Sequence, residues 1–387
     1  VKRGSIISLS KKQFYALLVY LTAMLSIQLA VAIFIIGTLN SSAAQVPAPI
    51  WTNSIIRVMS ANLTGDSQTY GQASIRIFQG LKPDIIAIQE FNYSDNTYDD
   101  IKGFINLAFG TNFFYFRETN SNYSLPNGII SRYPILLAGS FDDLEIPDRG
   151  FAYAVIDIPG DKNLVVFSVH LKAGSDSASR RATEALQLKN LIASNFSTQS
   201  NYIIVAGDFN LYSTNESAYR TIISFLNDFP IPEDTERNPN TNLNRNQRYD
   251  YIFTSVDLTS LVVPVQIGRQ YFTNGLVFDS RSYSPLSDVK PVLPADSSMA
   301  QHLAVIKDFS ISYRVTNFVN IESPVIEIDK TGLIKWRGAS NITYSIYSSS
   351  NLLIWNKLGI ATSSGNLYYF VCNPFTNKIQ FFRVGYP

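Results

Sequence analysis

Only two histidines occur in 387 residues, and each lies beside a short apolar run: His170 closes LVVFSVH and His302 opens HLAVIKDF. Near neutral pH an imidazole can shuttle a proton or donate to a phosphoryl oxygen. Other apolar runs also end in polar residues. SANL brings Asn62, IIAIQE brings Glu90, and YIIVAGDFN brings Asp208 and Asn210. In α/β sheets ligands collect beyond the strand ends, so these groups can share one site. Carboxylates such as Glu90 and Asp208 suit a hard divalent cation, Mg²⁺ by default with Mn²⁺ or Ca²⁺ as alternatives. Asn62 and Asn210 add amide ligands or donors. Asp250 in RYDYIF is a carboxylate within a strand and needs a partner. Metal, carboxylates and histidines together describe attack of water on a phosphate ester.

Singly, each residue also has a structural reading. Asn62 can be a turn or cap residue, Glu90 can pair with Lys82 or Arg132, and Asp208 can cap a following helix. The conjunction carries the argument.

The elements that must position these groups alternate. IIRVMSANL, IIAIQEF, GIISRYPILLAGSF, GFAYAVIDIP, LVVFSVHL, YIIVAGDFN, DYIFTS and LAVIKDF read as strands. SQTYGQASIRIFQGLKPD reads as a helix ending near Gly80, with Pro83 beyond it. In ASRRATEALQLKNLIASNF the helical spacing of Ala182, Ala185, Leu186, Leu188 and Ile192 predicts an inward face, with most charges elsewhere. Continuous apolar strands between helices imply an α/β core. From about Val315 short strands and turn signals replace helices, which predicts a separate small β-sandwich over 318–387.

The segments SANL, KPDIIAIQE, NGIISRYPI, FSVHLKAG, VAGDFN, RYDYIF and AQHLAVIKDF follow one another in this order. That series resembles the endonuclease/exonuclease/phosphatase superfamily, with the pancreatic-deoxyribonuclease-like fold, across roughly Ile55–Ile311. The resemblance implies a four-layer α/β sandwich, two packed mixed sheets flanked by helices. It implies that Glu90 and Asn62 bind the divalent metal and that His170 contacts the scissile phosphate. Asp208 would orient or deprotonate the water, and Asn210 would fix the phosphate and metal. Asp250 would hold His302 for phosphate contact or proton transfer, and Asn127 would line the substrate phosphate. One position departs. Where the family usually has Ser-Asp-His, this chain has Ala300-Gln301-His302. Gln301 is expected to weaken metal affinity, with Asp296 as a candidate to compensate. The segment from GLIKWRG to FFRV is more loosely similar to β-sandwich modules of exported bacterial proteins.

Composition sets bounds. Apolar residues make up 46% of the chain and charged residues 16%, which suits a cored, β-rich protein. Four of the 31 Lys and Arg lie in the first dozen residues, leaving 27 against 30 Asp and Glu. That balance excludes a broad basic surface for holding a nucleic-acid backbone. A lone cysteine, Cys372, excludes an intrachain disulfide and reads as a small buried residue. The basic start, the uncharged run 14–38, and Ser42 and Ala44 after it read as a signal peptide or membrane anchor over 1–44. Residues 45–54 then read as a linker and 55–315 as the phosphoesterase-like domain. The expectation is an exported, monomeric hydrolase, secreted or membrane-anchored, acting on a nucleic acid, a phospholipid or a phosphorylated small molecule. The rival is a catalytically weakened surface binding module, suggested by Gln301.

Overall fold

A strand covered on both faces needs apolar side chains at every position. The IIAI run meets that demand: in the computed structural model Ile85–Ile88 is a strand buried throughout. The structure describes residues 50–315 and, beyond them, 327–328, 333–337, 344–349, 356–364, 367–371 and 381–385. The chain divides into two units, one spanning Trp51–Val315, and the strands beyond residue 326 belong to the other.

In the first unit one sheet runs, edge to edge, through Val262–Val263, Ala304–Val315, Ile50–Ala61, Ile85–Ile88, Gly128–Ser131 and Phe114–Arg117, with Leu276–Phe278 also paired to Ala304–Val315. A second runs through Ile135–Asp142, Gly150–Ile156, Asn163–His170, Asn201–Asp208 and Asp250–Thr254. Both sheets are mixed. Ile50–Ala61 and Ile85–Ile88 are parallel, as are Asn163–His170 and Asn201–Asp208. Ile85–Ile88 with Gly128–Ser131, and Asn201–Asp208 with Asp250–Thr254, are antiparallel.

The sheets pack face to face. Val58, Ile85, Ala87 and Val305 of the first meet Ala154, Val166, Ile204 and Ile252 of the second in one buried cluster. On the outer face of the first sheet, Phe78 and Phe104 from the helices Gln72–Leu81 and Tyr98–Phe109 cover Met59, Ile86 and Ile88. On the outer face of the second, Leu188 and Ile222 from Ala178–Asn195 and Ser217–Ile223 cover Val165, Val205 and Phe253. The layer between the sheets also holds polar groups. Gln89 Nε2 donates to Ser168 Oγ at 2.8 Å, and that hydroxyl donates to the Ile88 carbonyl at 2.8 Å. Lys307 is fully buried, with Nζ donating to the carbonyls of Asp228 and Ile252 at 3.0 Å each.

The structure corrects several expectations. The first strand begins at Ile50, inside the segment read as a linker. Helix Tyr98–Phe109 was not expected; Thr97 and Asp100 form a capping box at its start. In Ala178–Asn195, Arg181 and Glu184 are buried and Leu186 is exposed, because Arg181 is bonded to Glu216 and Glu184 accepts the Lys172 N–H. The expected N-terminal signal or anchor helix and Cys372 lie outside the described residues. Among the described residues no helix is long and apolar enough to cross a membrane.

The second unit has two sheets. One contains Glu327–Ile328, Leu333–Arg337, Leu367–Val371 and Thr362–Ser364; the other contains Asn356–Ile360, Ser345–Ser349 and Phe381–Gly385. Ile334, Trp336 and Tyr368 of the first are buried against Tyr344 and Ile346.

Candidate active site

Strand register assembles the site. Parallel pairing sets His170 opposite Asp208, and the next, antiparallel pairing sets Asp208 opposite Asp250. Three neighbouring strands therefore end level. In the first sheet Ala61 pairs with Ile88, so Asn62 and Glu90 follow the ends of neighbouring strands. His302 lies just before the strand Ala304–Val315 of that same sheet. Two of these residues have left-handed backbone, Glu90 at φ 50° and Asn210 at φ 49°. Asparagine tolerates that region; a glutamate there is uncommon and is held by its surroundings. Gly207, at φ 147°, is needed because a β-carbon there would collide with the Val169 carbonyl oxygen.

The side chains converge on Asp208. Its Oδ2 accepts from Asn62 Nδ2 at 3.2 Å and lies 3.4 Å from His170 Nε2 and 3.5 Å from His302 Nε2. Its Oδ1 accepts the Asn210 N–H at 2.9 Å, and Asn210 Nδ2 donates to the Leu171 carbonyl at 3.0 Å. Asp208 therefore caps no helix; its carboxylate is the hub. Asp250 Oδ2 lies 2.8 Å from His302 Nδ1 and accepts the Thr241 hydroxyl at 2.6 Å. Glu90 accepts the Thr64 hydroxyl, which also lies 3.4 Å from Asn62 Oδ1. It pairs with neither Lys82 nor Arg132, and Arg132 bonds Asp84 instead. All six strand-end groups and Asp250 are buried, yet Asp250 Oδ1 and His170 Nδ1 meet no hydrogen-bond partner among the described residues.

The two imidazoles are tuned in opposite senses. Burial, helped by Arg149 and His302, lowers the His170 pKa well below the usual value, so His170 is neutral. Burial also opposes charge on His302, but Asp250, Asp208 and Glu90 outweigh it and raise its pKa to about 10. Burial pushes Asp208 up to about 6; nearby His302 pulls it down and Asp250 raises it further.

The donor set fits a hard cation. Among the described residues, ligand atoms of Asp208, Asp250 and His302 lie within 4.8 Å of one another. His302 is bonded to Asp250 through Nδ1, which leaves only its Nε2 to meet an ion. The oxygens of Glu90 and Asn62, the ligands expected from sequence, are hard donors linked through the Thr64 hydroxyl.

Sequence reading missed several supports. Thr241 accepts the N–H groups of Tyr249 and Asp250, each at 3.0 Å, while its hydroxyl donates to the Asp250 carboxylate. Arg149 is buried, and its Nε donates to the His170 carbonyl at 2.6 Å. Asn127 belongs to a different network: its N–H donates to Glu118 at 2.7 Å and its Nδ2 to the Gly150 carbonyl at 2.7 Å. No hydrogen bond among the described residues joins it to Asp208. Gln301 also stands apart from the carboxylates. It is exposed, with its amide donating to Asp66 at 3.1 Å and its N–H to the Thr64 carbonyl at 2.9 Å. Asp296 does not compensate, since Arg76 holds both of its oxygens.

Residues 59–288 match the Endonuclease/Exonuclease/phosphatase family. No curated protein matches the chain. Solved structures similar to it include the human Nocturnin catalytic domain with bound sulfate anion, at 16% identity and TM-score 0.46, covering 69% of this chain and 98% of that one. An endonuclease/exonuclease/phosphatase from Beutenbergia cavernae is 12% identical at TM-score 0.45, covering 85% and 99%. Truncated TDP2 from Caenorhabditis elegans is 16% identical at TM-score 0.41, covering 66% and 97%.

Proposed function

The chain belongs to the endonuclease/exonuclease/phosphatase family, and from that premise we propose that it is a divalent-metal-dependent phosphoester hydrolase that uses water activated by Asp208. The observation that carries the reading is the convergence of Asn62, His170 and His302 on one oxygen of Asp208, with Asp250 holding His302 from behind. A metal held by Glu90 and Asn62, Mg²⁺ by default, would supply charge opposite the phosphoryl oxygens. The rest falls to side chains. Asp208, with its pKa at about 6, is ionised at neutral pH and basic enough to take a proton from water. His302 keeps its proton and donates through Nε2 to a phosphoryl or leaving oxygen, while Asp250 fixes the ring through Nδ1. Neutral His170 contributes a hydrogen bond without adding charge, and Asn210 keeps the Asp208 carboxylate from rotating.

Export accompanies this reading, on the strength of the basic residues followed by the uncharged run 14–38. The catalytic unit would then work outside the cytoplasm as a monomer, secreted or anchored, with the C-terminal β-strands as an accessory module. The weakened-module reading rests on Gln301, whose side chain bonds Asp66 rather than any group of the cluster.

The test is hydrolysis by the purified full chain of plasmid DNA, RNA, sphingomyelin and inositol phosphates, with Mg²⁺ and with EDTA. Turnover should require the metal and vanish in Asp208→Asn. Silence on every ester, or turnover indifferent to both EDTA and D208N, would sink the proposal.

A further inference from the structure

Beside His302 lies an aromatic surface that the hydrolytic machinery does not use. The Tyr249 ring centroid is 5.7 Å from that of His302, and the Tyr212 ring meets Tyr249 edge to face at 5.5 Å and 64°. Tyr249 is partly exposed and Tyr212 is 40% exposed, so the pair faces solvent next to the reacting groups.

The surface is built in advance. The Arg181 guanidinium lies 5.4 Å from the Tyr212 ring centroid. Arg181 is itself fully buried, with Nε and Nη2 donating to Glu216 at 2.8 and 2.9 Å. Glu216 also accepts the Tyr212 N–H at 2.9 Å. Tyr249 is placed by its N–H bond to Thr241, the hydroxyl that also holds Asp250. Rigid rings with fixed backbones lose little freedom when a flat group lies on them, so they suit stacking. Core packing does not account for a tyrosine this exposed, whose backbone and ring are both tied to a buried Arg–Glu pair.

We propose that Tyr212 and Tyr249 form a stacking subsite for a planar heteroaromatic ring, so that the preferred phosphoesters carry a nucleobase. This rests on the hydrolase reading and names its substrate class. The near-neutral charge balance, with 30 Asp and Glu against 27 Lys and Arg past the first dozen residues, favours free nucleotides or short single strands over duplexes.

The test uses the full chain with Mg²⁺ and two methyl phosphodiesters, thymidine 5′-methyl phosphate and its abasic deoxyribose counterpart, followed by chromatography. Wild type should favour the base-bearing ester in kcat/KM by roughly 5- to 100-fold, the range of one stacked base. Tyr212→Ala should collapse that ratio towards unity, and Tyr212→Phe should keep it. A second arm measures calorimetric binding of dTMP, deoxyribose 5-phosphate and a thymidine hexamer to D208N, with and without Y212A. Tighter binding of dTMP than of the sugar phosphate, lost in Y212A, supports the subsite. A further gain with the hexamer assigns it to strands, and no gain assigns it to free nucleotides. Equal treatment of base-bearing and abasic ligands, a ratio unmoved by Y212A, or a Y212A-sensitive preference for a phosphocholine ester overturns the proposal. If neither ester is cleaved, the hydrolase reading is left to the wider ester series, and the binding arm alone decides the subsite.

Discussion

His170 and His302 present Nε2 to the same oxygen of Asp208, at 3.4 and 3.5 Å, yet one ring is held neutral and the other charged. The difference lies behind the rings. His302 Nδ1 faces Asp250, whereas His170 Nδ1 meets no partner among the described residues and the ring lies near Arg149.

Asp250→Asn should therefore change the pH profile as well as the rate. In wild type the rate should rise with pH as Asp208 ionises near 6 and fall as His302 loses its proton near 10. Without the Asp250 charge His302 should titrate closer to ~6.5, so the falling limb moves towards neutrality. At pH 8 the loss should reach about 10²-fold. A D250N profile that kept its alkaline limb near 10 would contradict the assignment.

Asp208→Asn should remove nearly all turnover, by about 10²-fold or more, and leave the fold intact. Its pKa is raised in the folded state, so ionising it costs stability as pH rises from ~3.9 through about 6. The amide avoids that cost. D208N should melt no lower than wild type at pH 7.5 by calorimetry, and a clear fall would assign Asp208 a structural rather than catalytic place.

Gln301→Asp should not restore a metal ligand. The residue points at Asp66, so the change sets two exposed carboxylates side by side. We expect the Mg²⁺ dependence to shift by less than about threefold, since exposed charge pairs contribute little. A tenfold tighter Mg²⁺ requirement in Q301D, measured by titrating activity, would return the residue to the metal site.

Glu184→Gln should flatten the dependence of stability on pH. Burial and the neighbouring Asp143 raise Glu184 to about 8, against ~4.3 in an unfolded chain. The folded state keeps the proton longer, so stability falls as pH rises between those values and is level above. Wild type and E184Q should melt alike near pH 5, with the variant several degrees higher at pH 8.5. Parallel melting curves across that range would exclude this account.

Divalent cations should raise the melting temperature even without substrate, because only the folded chain gathers Glu90 and Asn62. At a hundred times the dissociation constant the gain is about 2.7 kcal/mol. Glu90→Gln should shrink it, and a cation effect of equal size in E90Q would place the ion elsewhere.

The sequence showed the strand ends well, because runs such as IIAIQE and IIVAGDFN break sharply from apolar to polar. It showed the inner face of the 178–195 helix poorly. Arg181 and Glu184 violate the apolar pattern, and each is satisfied by groups distant in sequence or in a preceding loop. Lys307 was hidden for the same reason: its carbonyl partners come from Asp228 and Ile252. Thr241 sits in an asparagine-rich loop that carries no periodic signal, and its value to Asp250 exists only after the chain folds back. Helix Tyr98–Phe109, by contrast, had a legible start in Thr97-x-x-Asp100.

The bond from Gln89 to Ser168 lies beside Glu90 on one sheet and two residues before His170 on the other. The reacting groups are split between those slabs, Asn62, Glu90 and His302 on one, His170, Asp208 and Asp250 on the other. Most of what joins the slabs is apolar contact, which has no direction of its own, so the few polar bonds across it fix their register. Misplacement of about 1 Å there can cost ~10²-fold in rate. Moderate heat or pressure should therefore silence turnover reversibly while circular dichroism still reports an intact molecule, which makes the rate a finer gauge of interior slip than any melting curve.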